Sequence, residues 1–206
     1  SDLVVAPSIA PQPGLVLGRL IDDGYVRMLA GVRLDTRDIT ENGVPVISAD
    51  DVQRGRVATN RAISVLVQQG AYRRAALTRV GDVVITTRPA AAWIDRRGRS
   101  LVEAPARILR LVDGARARLT PELLAAAVNG ADATIVDWHR WVVSPAPSDQ
   151  RERLGAALEI LHEHRLELRQ HLEQLESAHR LLTDGVRDSA LLFPQTTPDT
   201  DLEGGA

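Results

Sequence analysis

The chain has 206 residues, 44% of them apolar and 25% charged, with a formal net charge of -2. That composition excludes a wholly disordered chain and supplies a sizeable core for one or two domains. Cysteine is absent, so disulfides, a cysteine nucleophile and thiolate zinc sites are excluded, and no run reaches the roughly 18 apolar residues a membrane helix needs.

The charge is unevenly spread. Residues 52–118 hold 14 Arg against four acids, Asp82, Asp95, Glu103 and Asp113, whereas residues 1–51 hold four Arg and eight acids. A near-neutral protein with one strongly basic block presents a local anion-binding surface. All 25 basic residues are Arg. GC-rich codon usage would also produce this, but the guanidinium fork suits phosphates and guanine edges either way. The start, Ser1-Asp2-Leu3, shows no signal peptide, and the missing initiator Met fits a piece cut from a longer chain.

In chain order, residues 1–14 read as an extended lead-in with prolines at Pro7, Pro11 and Pro13. Val44 to Ser48 predicts a short buried strand after an Asn42-Gly43 turn. Arg61 to Gln69 predicts a short helix closed by Gly70. Gly81-Asp82 is a turn, with Asp82 holding it rather than moving protons, and the β-branched run Val83 to Thr87 is the clearest strand, ended by Pro89. Ala91 to Ile94 and Arg107 to Leu111 are further strands. Between them, Asp95-Arg96-Arg97-Gly98-Arg99 is a basic turn suited to a hairpin tip. Thr120-Pro121-Glu122 starts a helix, with Thr as N-cap and Pro at the first helical position. Asn129-Gly130 stops it, and Trp138 to Val143 reads as a last strand. Short strands with two short helices predict a compact mixed α/β domain over residues 15–143, in an α+β chain.

Residues 144–193 read as a linker and a long helix. Ser144-Pro145-Ala146-Pro147 is stiff, and Ser148 or Asp149 can cap the helix, Asp149 with Glu152 having capping-box spacing. Leu154, Leu161, Leu168, Leu175 and Leu182 then recur every seven residues, interleaved with Leu158, Arg165, Leu172, His179 and Val186. Alternating spacings of four and three make a coiled-coil seam with Leu at every d position. At 1.5 Å per residue the helix is on the order of 55–60 Å long. Unpaired, it would leave five leucines in water, so it must pair, within the full-length chain or with another copy, through Leu154, Leu158, Leu161, Leu168, Leu172, Leu175 and Leu182. Arg165 and His179 weaken the seam but can set register. Residues 194–206 have no apolar pattern and read as a disordered tail.

Several stretches, in order, carry a resemblance. They are Val44-Pro45-Val46-Ile47 followed by Asp51-Val52 and Gly55; Gly81-Asp82-Val83-Val84-Ile85-Thr86-Thr87-Arg88; Pro121-Glu122-Leu123-Leu124 through Asn129; Val142-Val143-Ser144-Pro145-Ala146-Pro147 to Gln150; and Leu181 to Leu191. Over about residues 15–193 the chain resembles one half of a type I restriction-modification specificity subunit, a target recognition domain followed by a spacer helix. A full subunit carries two of each. The chain therefore looks like a half-subunit, or like the fused C-terminal specificity region of an adenine-N6 DNA methylase.

The resemblance implies a non-catalytic, cytoplasmic bacterial module that reads one half-site in double-stranded DNA and pairs through its helix, forming a homodimer. It also implies a separate or fused methyltransferase that supplies S-adenosylmethionine, with no cofactor on this chain. The residues agree with the second point. No Asn/Asp-Pro-Pro-aromatic loop, Walker-type loop, His-Glu-x-x-His or Gly-x-Ser-x-Gly is present. Four of the five histidines fall on the heptad helix at spacings that form no i,i+4 pair, so no metal site is expected. Asp22-Asp23 and Asp50-Asp51 read as solvated loops. Trp93, Trp138 and Trp141 read as core. Tyr72 does too, though it could pack on DNA. The DNA-contact candidates are Arg54, Arg56, Arg61, Arg73, Arg74, Arg88, Arg96, Arg97 and Arg99, at turn-rich positions where phosphate clamps and base-edge contacts are both available. Two other classes remain open: a dimeric coiled-coil regulator, although the basic block shows no clear helix-turn-helix, and an adaptor whose Arg block binds an acidic protein.

Overall fold

A computed structural model of the chain describes residues 14–58, 60–115, 119–132, 134–135, 137–145 and 150–187. It divides into two compact units, one through Glu163 and one from His164. The lead-in before Gly14, the helix cap at Ser148 or Asp149 and the tail after Arg187 lie outside the described residues. The fold is α+β, a compact mixed domain followed in sequence by a long helix.

The first four-stranded sheet is antiparallel, in the order β2 (Val26–Ala30), β9 (Arg107–Leu111), β6 (Asp82–Thr87) and β7 (Ala90–Asp95). Its central strand explains the β-branched run. In β6, Val83 and Ile85 point into a cluster with Leu109 and Leu111, while Val84 points into another with Ile47, Val52 and Ile108. Both faces are covered, so the strand has no solvent face to carry polar residues. The covering helices on the first side are α1 (Leu17–Asp22) and α4 (Pro121–Asn129), which bury Leu17, Leu20, Leu124 and Val128. Thr120 caps α4 by accepting the Leu123 amide, as the sequence predicts. Asn129, the last residue of α4, also seals the β7 edge: its Oδ1 accepts the Ala92 amide at 2.8 Å and its Nδ2 donates to the Ala92 carbonyl at 3.3 Å. An edge strand closed in this way cannot recruit another chain at that position.

The second sheet runs β3 (Ile39–Thr40), β5 (Ala62–Ile63), β4 (Val44–Ile47) and β8 (Leu101–Val102), with β4 and β8 parallel. A two-stranded pair, β1 (Leu15–Val16) with β10 (Val142–Val143), ties the start of the domain to its end. The long helix is α5 (Arg151–Arg187).

Four expectations are corrected. The helix expected over Arg61–Gln69 is α3 (Val65–Gly70); Ala62 and Ile63 are instead buried strand, and Ser64 accepts the Val67 amide to begin the helix. The basic turn Asp95–Arg99 is no hairpin tip between Ala91–Ile94 and Arg107–Leu111. β7 pairs with β6 across the Arg88-Pro89 turn, and the basic segment leads into β8 of the other sheet. Of Trp138–Val143, residues Trp138–Arg140 form a 3-10 turn and only Val142–Val143 is strand. The acid pairs are not loops: Asp22 ends α1 with Asp23 as its C-cap, and Asp50 and Asp51 lie in the first turn of an unpredicted helix, α2 (Ala49–Arg54).

Candidate nucleic-acid interface

The Arg-rich block is shaped by its few acids. Asp82 is almost fully buried, and Arg110 closes on it with Nη2 at 2.6 Å from Oδ2 and Nε at 3.0 Å from Oδ1. The same Nη2 donates to the Leu77 carbonyl at 2.8 Å, and Asp82 Oδ2 accepts the Arg79 amide at 2.7 Å. Asp82 thus holds the turn, as expected, and with Arg110 it pins the whole segment from Leu77 to Asp82.

Asp95 does the equivalent work at the neighbouring strand end. Its Oδ1 accepts the amides of Arg97 and Gly98, both at 2.9 Å, while Oδ2 is buried with no hydrogen-bond partner. The turn it forms puts Gly98 at φ 72° and Arg99 at φ 63°. A left-handed backbone costs a residue with a Cβ about 1–2 kcal/mol, so the surroundings must enforce it. They do so through a clasp with the pinned segment. Thr78 N donates to Ser100 O at 2.9 Å, Arg99 N donates to Thr78 O at 2.8 Å, and Ser100 N donates to Thr78 Oγ1 at 2.8 Å. A bridge between Leu77 and Leu101 continues the pairing.

This clasp brings Arg97 and Arg99 beside Arg79, all three exposed. Sequence reasoning misses Arg79, whose only signal is its place just before the Gly81-Asp82 turn. Arg73 and Arg74 are exposed in the turns that precede Leu77. Arg96 is exposed too, but its Nη2 lies 2.7 Å from Oε1 of Glu159, in the third turn of α5. Arg88 is not part of this group. It sits at the β6–β7 turn, at the opposite end of the hairpin, about 20 Å away for a six-residue strand. Arg61 is half-buried and ion-paired, with Nη2 3.0 Å from Glu103 Oε2. Arg54 ends α2, and Arg56 follows the C-cap Gly55; both are exposed.

The aromatic residues divide. Trp141 is buried, Trp93 and Trp138 pack at cluster edges, and Trp138 also stacks on His139 with ring centroids 3.5 Å apart. Tyr72 is held by its hydroxyl, which donates to Asp38 Oδ2 at 2.7 Å and accepts the Asp35 amide at 3.1 Å. The Asp35 amide pulls the phenol's pKa down, but the Asp38 carboxylate and burial outweigh it and raise the pKa above its ordinary value.

Along α5, Leu154, Leu161, Leu168, Leu172, Leu175 and Leu182 are all exposed, Leu175 by 67%, while Leu158 is half-buried. A cavity of about 520 Å³ opens beside Leu15, Arg19, Leu20, Tyr25 and Leu119, and none of the predicted Arg lines it. Among the described residues, no His/Cys/Asp/Glu cluster could hold a metal ion, and no helix is long and apolar enough to cross a membrane.

No family model and no curated protein matches the sequence. Solved structures do. A chain of a type I R-M system, determined to explain that system's complex assembly and conformational transition, superposes with a TM-score of 0.52 at 15% identity, covering 89% of this chain and 47% of that one. The HsdS subunit from Thermoanaerobacter tengcongensis gives a TM-score of 0.50 at 15% identity, covering 88% and 46%. This chain therefore spans about half the length of the chains whose fold it shares.

Proposed function

We propose that this chain is a sequence-specific DNA-recognition module of a type I-like restriction-modification system, in which the compact domain reads one half-site and the long helix sets its distance from a second reader. The observation that carries the reading is the shared fold, which takes in nearly nine-tenths of this chain and about half of an HsdS subunit. A fold match of half the length agrees with one recognition domain and one spacer helix where a full subunit has two. The electrostatics agree as well. The exposed cations gathered by the clasp are all Arg, suited to phosphate and to guanine edges in the major groove.

The exposed leucines of α5 supply the pairing surface. A second copy of the chain would bury them and, with two-fold symmetry, present two readers to an inverted repeat. The chain itself is not catalytic in this reading. A methyltransferase domain or subunit, fused or separate, brings S-adenosylmethionine and flips the target adenine. Neither the base-holding loop nor a glycine-rich cofactor loop is present in this sequence. The setting is the cytoplasm, and the domain limits are those read from the sequence: 15–143 for recognition and 144–193 for linker and helix.

The test is duplex binding as a function of salt. Replacing Arg96, Arg97 and Arg99 with Ala should weaken binding and flatten the log-log salt dependence by up to about 0.9 per phosphate contact removed. Arg96 counts fully only if phosphate displaces Glu159 from it. Unchanged affinity and slope would remove the clasped loop from the interface. Co-purification with a methylase distinguishes the module from a coiled-coil regulator. Binding to an acidic protein but not to duplex DNA would mark an adaptor.

A further inference from the structure

We infer that α3 is the element that reads base edges, with Leu66 and Gln69 as specificity-determining residues and Arg73 and Arg74 as its phosphate anchors. This rests on the DNA-recognition reading above and assigns a part of it. Three observations converge on α3.

The first is exposure. No residue of α3 is buried, and Leu66, at 82%, is the most exposed large apolar residue among those described, with Val65 beside it at 49%. A lone exposed leucine needs no explanation, but a helix that turns two adjacent aliphatics outward presents a surface. Gln69 lies one turn on from both, so Val65, Leu66 and Gln69 share the outer face.

The second is anchoring. The inner side is fixed by Val67, which packs against Val46, Ile63 and Leu101, and by the Ser64 cap. Just beyond, Tyr72 is held by Asp35 and Asp38. The helix is thus held on its inner side and at both ends, as base reading requires, because a mobile one would lose its discrimination to ordering entropy.

The third is charge. From Val52 to Gly81 the sequence contains six Arg and no acid. In space Asp35 and Asp38 lie at Tyr72 and Glu103 pairs with Arg61, but the cations that directly follow α3, Arg73 and Arg74, are exposed and suit a polyanion. The outer face also carries the chemistry of major-groove readout: an aliphatic group for the thymine methyl, and an amide able to pair with adenine N6 and N7. The groove, about 12 Å wide, admits a helix. Arg73 and Arg74 then face the flanking phosphates.

The experiment uses the full chain and a pool of synthetic duplexes with randomised base pairs, selected by retention on the protein and sequenced. The expected result is a preferred motif for the unaltered chain. Leu66→Ser and Gln69→Ala should each relax preference at one position or two adjacent ones, by about five- to 150-fold. Gln69→Arg should move the preference at its position from adenine to guanine. Arg73→Ala with Arg74→Ala should lower affinity for every duplex alike and leave the motif intact. Thermal melting of each variant should match that of the unaltered chain, since the replaced side chains are exposed. An unrelaxed motif in both α3 variants overturns this inference and leaves the DNA reading standing. A chain that selects no motif at all overturns both.

Discussion

Replacing Arg110 with Met tests whether the exposed arginines depend on a buried one. The Arg110 side chain is 15% exposed and its partner Asp82 only 4%. Removing the cation leaves a carboxylate that water cannot reach, and breaking a buried pair from one side costs about 3–5 kcal/mol. The Leu77 carbonyl loses its donor as well, adding about 1 kcal/mol. Because Asp82 keeps the Arg79 amide, the low end of that sum, about 4 kcal/mol, is expected. That is a large share of the roughly 5–15 kcal/mol that holds a domain together. With a urea slope of about 1–3 kcal/mol per molar, the midpoint should fall by more than about 1 M.

Adding Asp82→Asn removes the stranded charge while retaining an oxygen for Arg79. The double variant should therefore be more stable than Arg110→Met alone, with a coupling of about 1–3 kcal/mol. Urea unfolding followed by tryptophan fluorescence measures both. A loss below about 1 kcal/mol, the range of an exposed pair, or simple additivity would refute the claim that this pair pins the Leu77–Asp82 segment.

Other perturbations probe separate parts. Leu168→Asp with Leu175→Asp should abolish self-association in analytical ultracentrifugation while the compact domain still melts cooperatively; a variant that sediments as a dimer would show that the heptad seam is not the interface. Asp51→Ala removes the acceptor of the Ser48 amide at 2.8 Å, the Ser48 hydroxyl at 2.6 Å and the Ala58 amide at 2.9 Å. It should cost about 2–3 kcal/mol in urea unfolding, whereas a solvated acid would cost almost nothing. Arg99→Gly should be more stable than Arg99→Ala by up to about 1 kcal/mol, because only glycine relieves the left-handed backbone. Equal midpoints would mean that the turn carries no strain.

What the sequence reveals depends on how local each signal is. The heptads of α5 are readable because one residue type recurs at one period, and β6 because β-branched residues crowd a strand buried on both faces. The α4 cap lies within four residues of sequence, so it too is visible. The basic turn after Asp95 invites the wrong partners because pairing is not local. β9 is drawn to β6 and β2, while β8 finds β4 some 50 residues earlier in the chain. α2 escapes notice for a different reason. Ser48 and Asp51 form a capping box with Asp where Glu or Gln is the usual signature, so Asp50-Asp51 reads as a polar loop until its hydrogen bonds are seen.

Counting Arg finds the block but not which of its cations are left exposed, because cations of one type serve two purposes. The four acids of residues 52–118 settle the division. Asp82 is closed by Arg110, Asp95 is folded under its own turn, and Glu103 is tied to Arg61. Three of four negative charges are thus committed to internal contacts at the cost of only two arginines. The surface left by this arrangement keeps the positive balance of the sequence with few acids exposed among its cations, and Arg79, Arg97 and Arg99 gather where the clasp joins Thr78 to Ser100. An acid introduced on that exposed surface, such as Arg97→Glu, should therefore reduce duplex affinity well beyond the loss of one contact, since it faces several cations and the phosphates together. The same change at Arg88, at the far end of the hairpin, should act as an isolated charge. A larger effect at Arg88 than at Arg97, measured by anisotropy at fixed salt, would place the interface at the opposite end of the sheet.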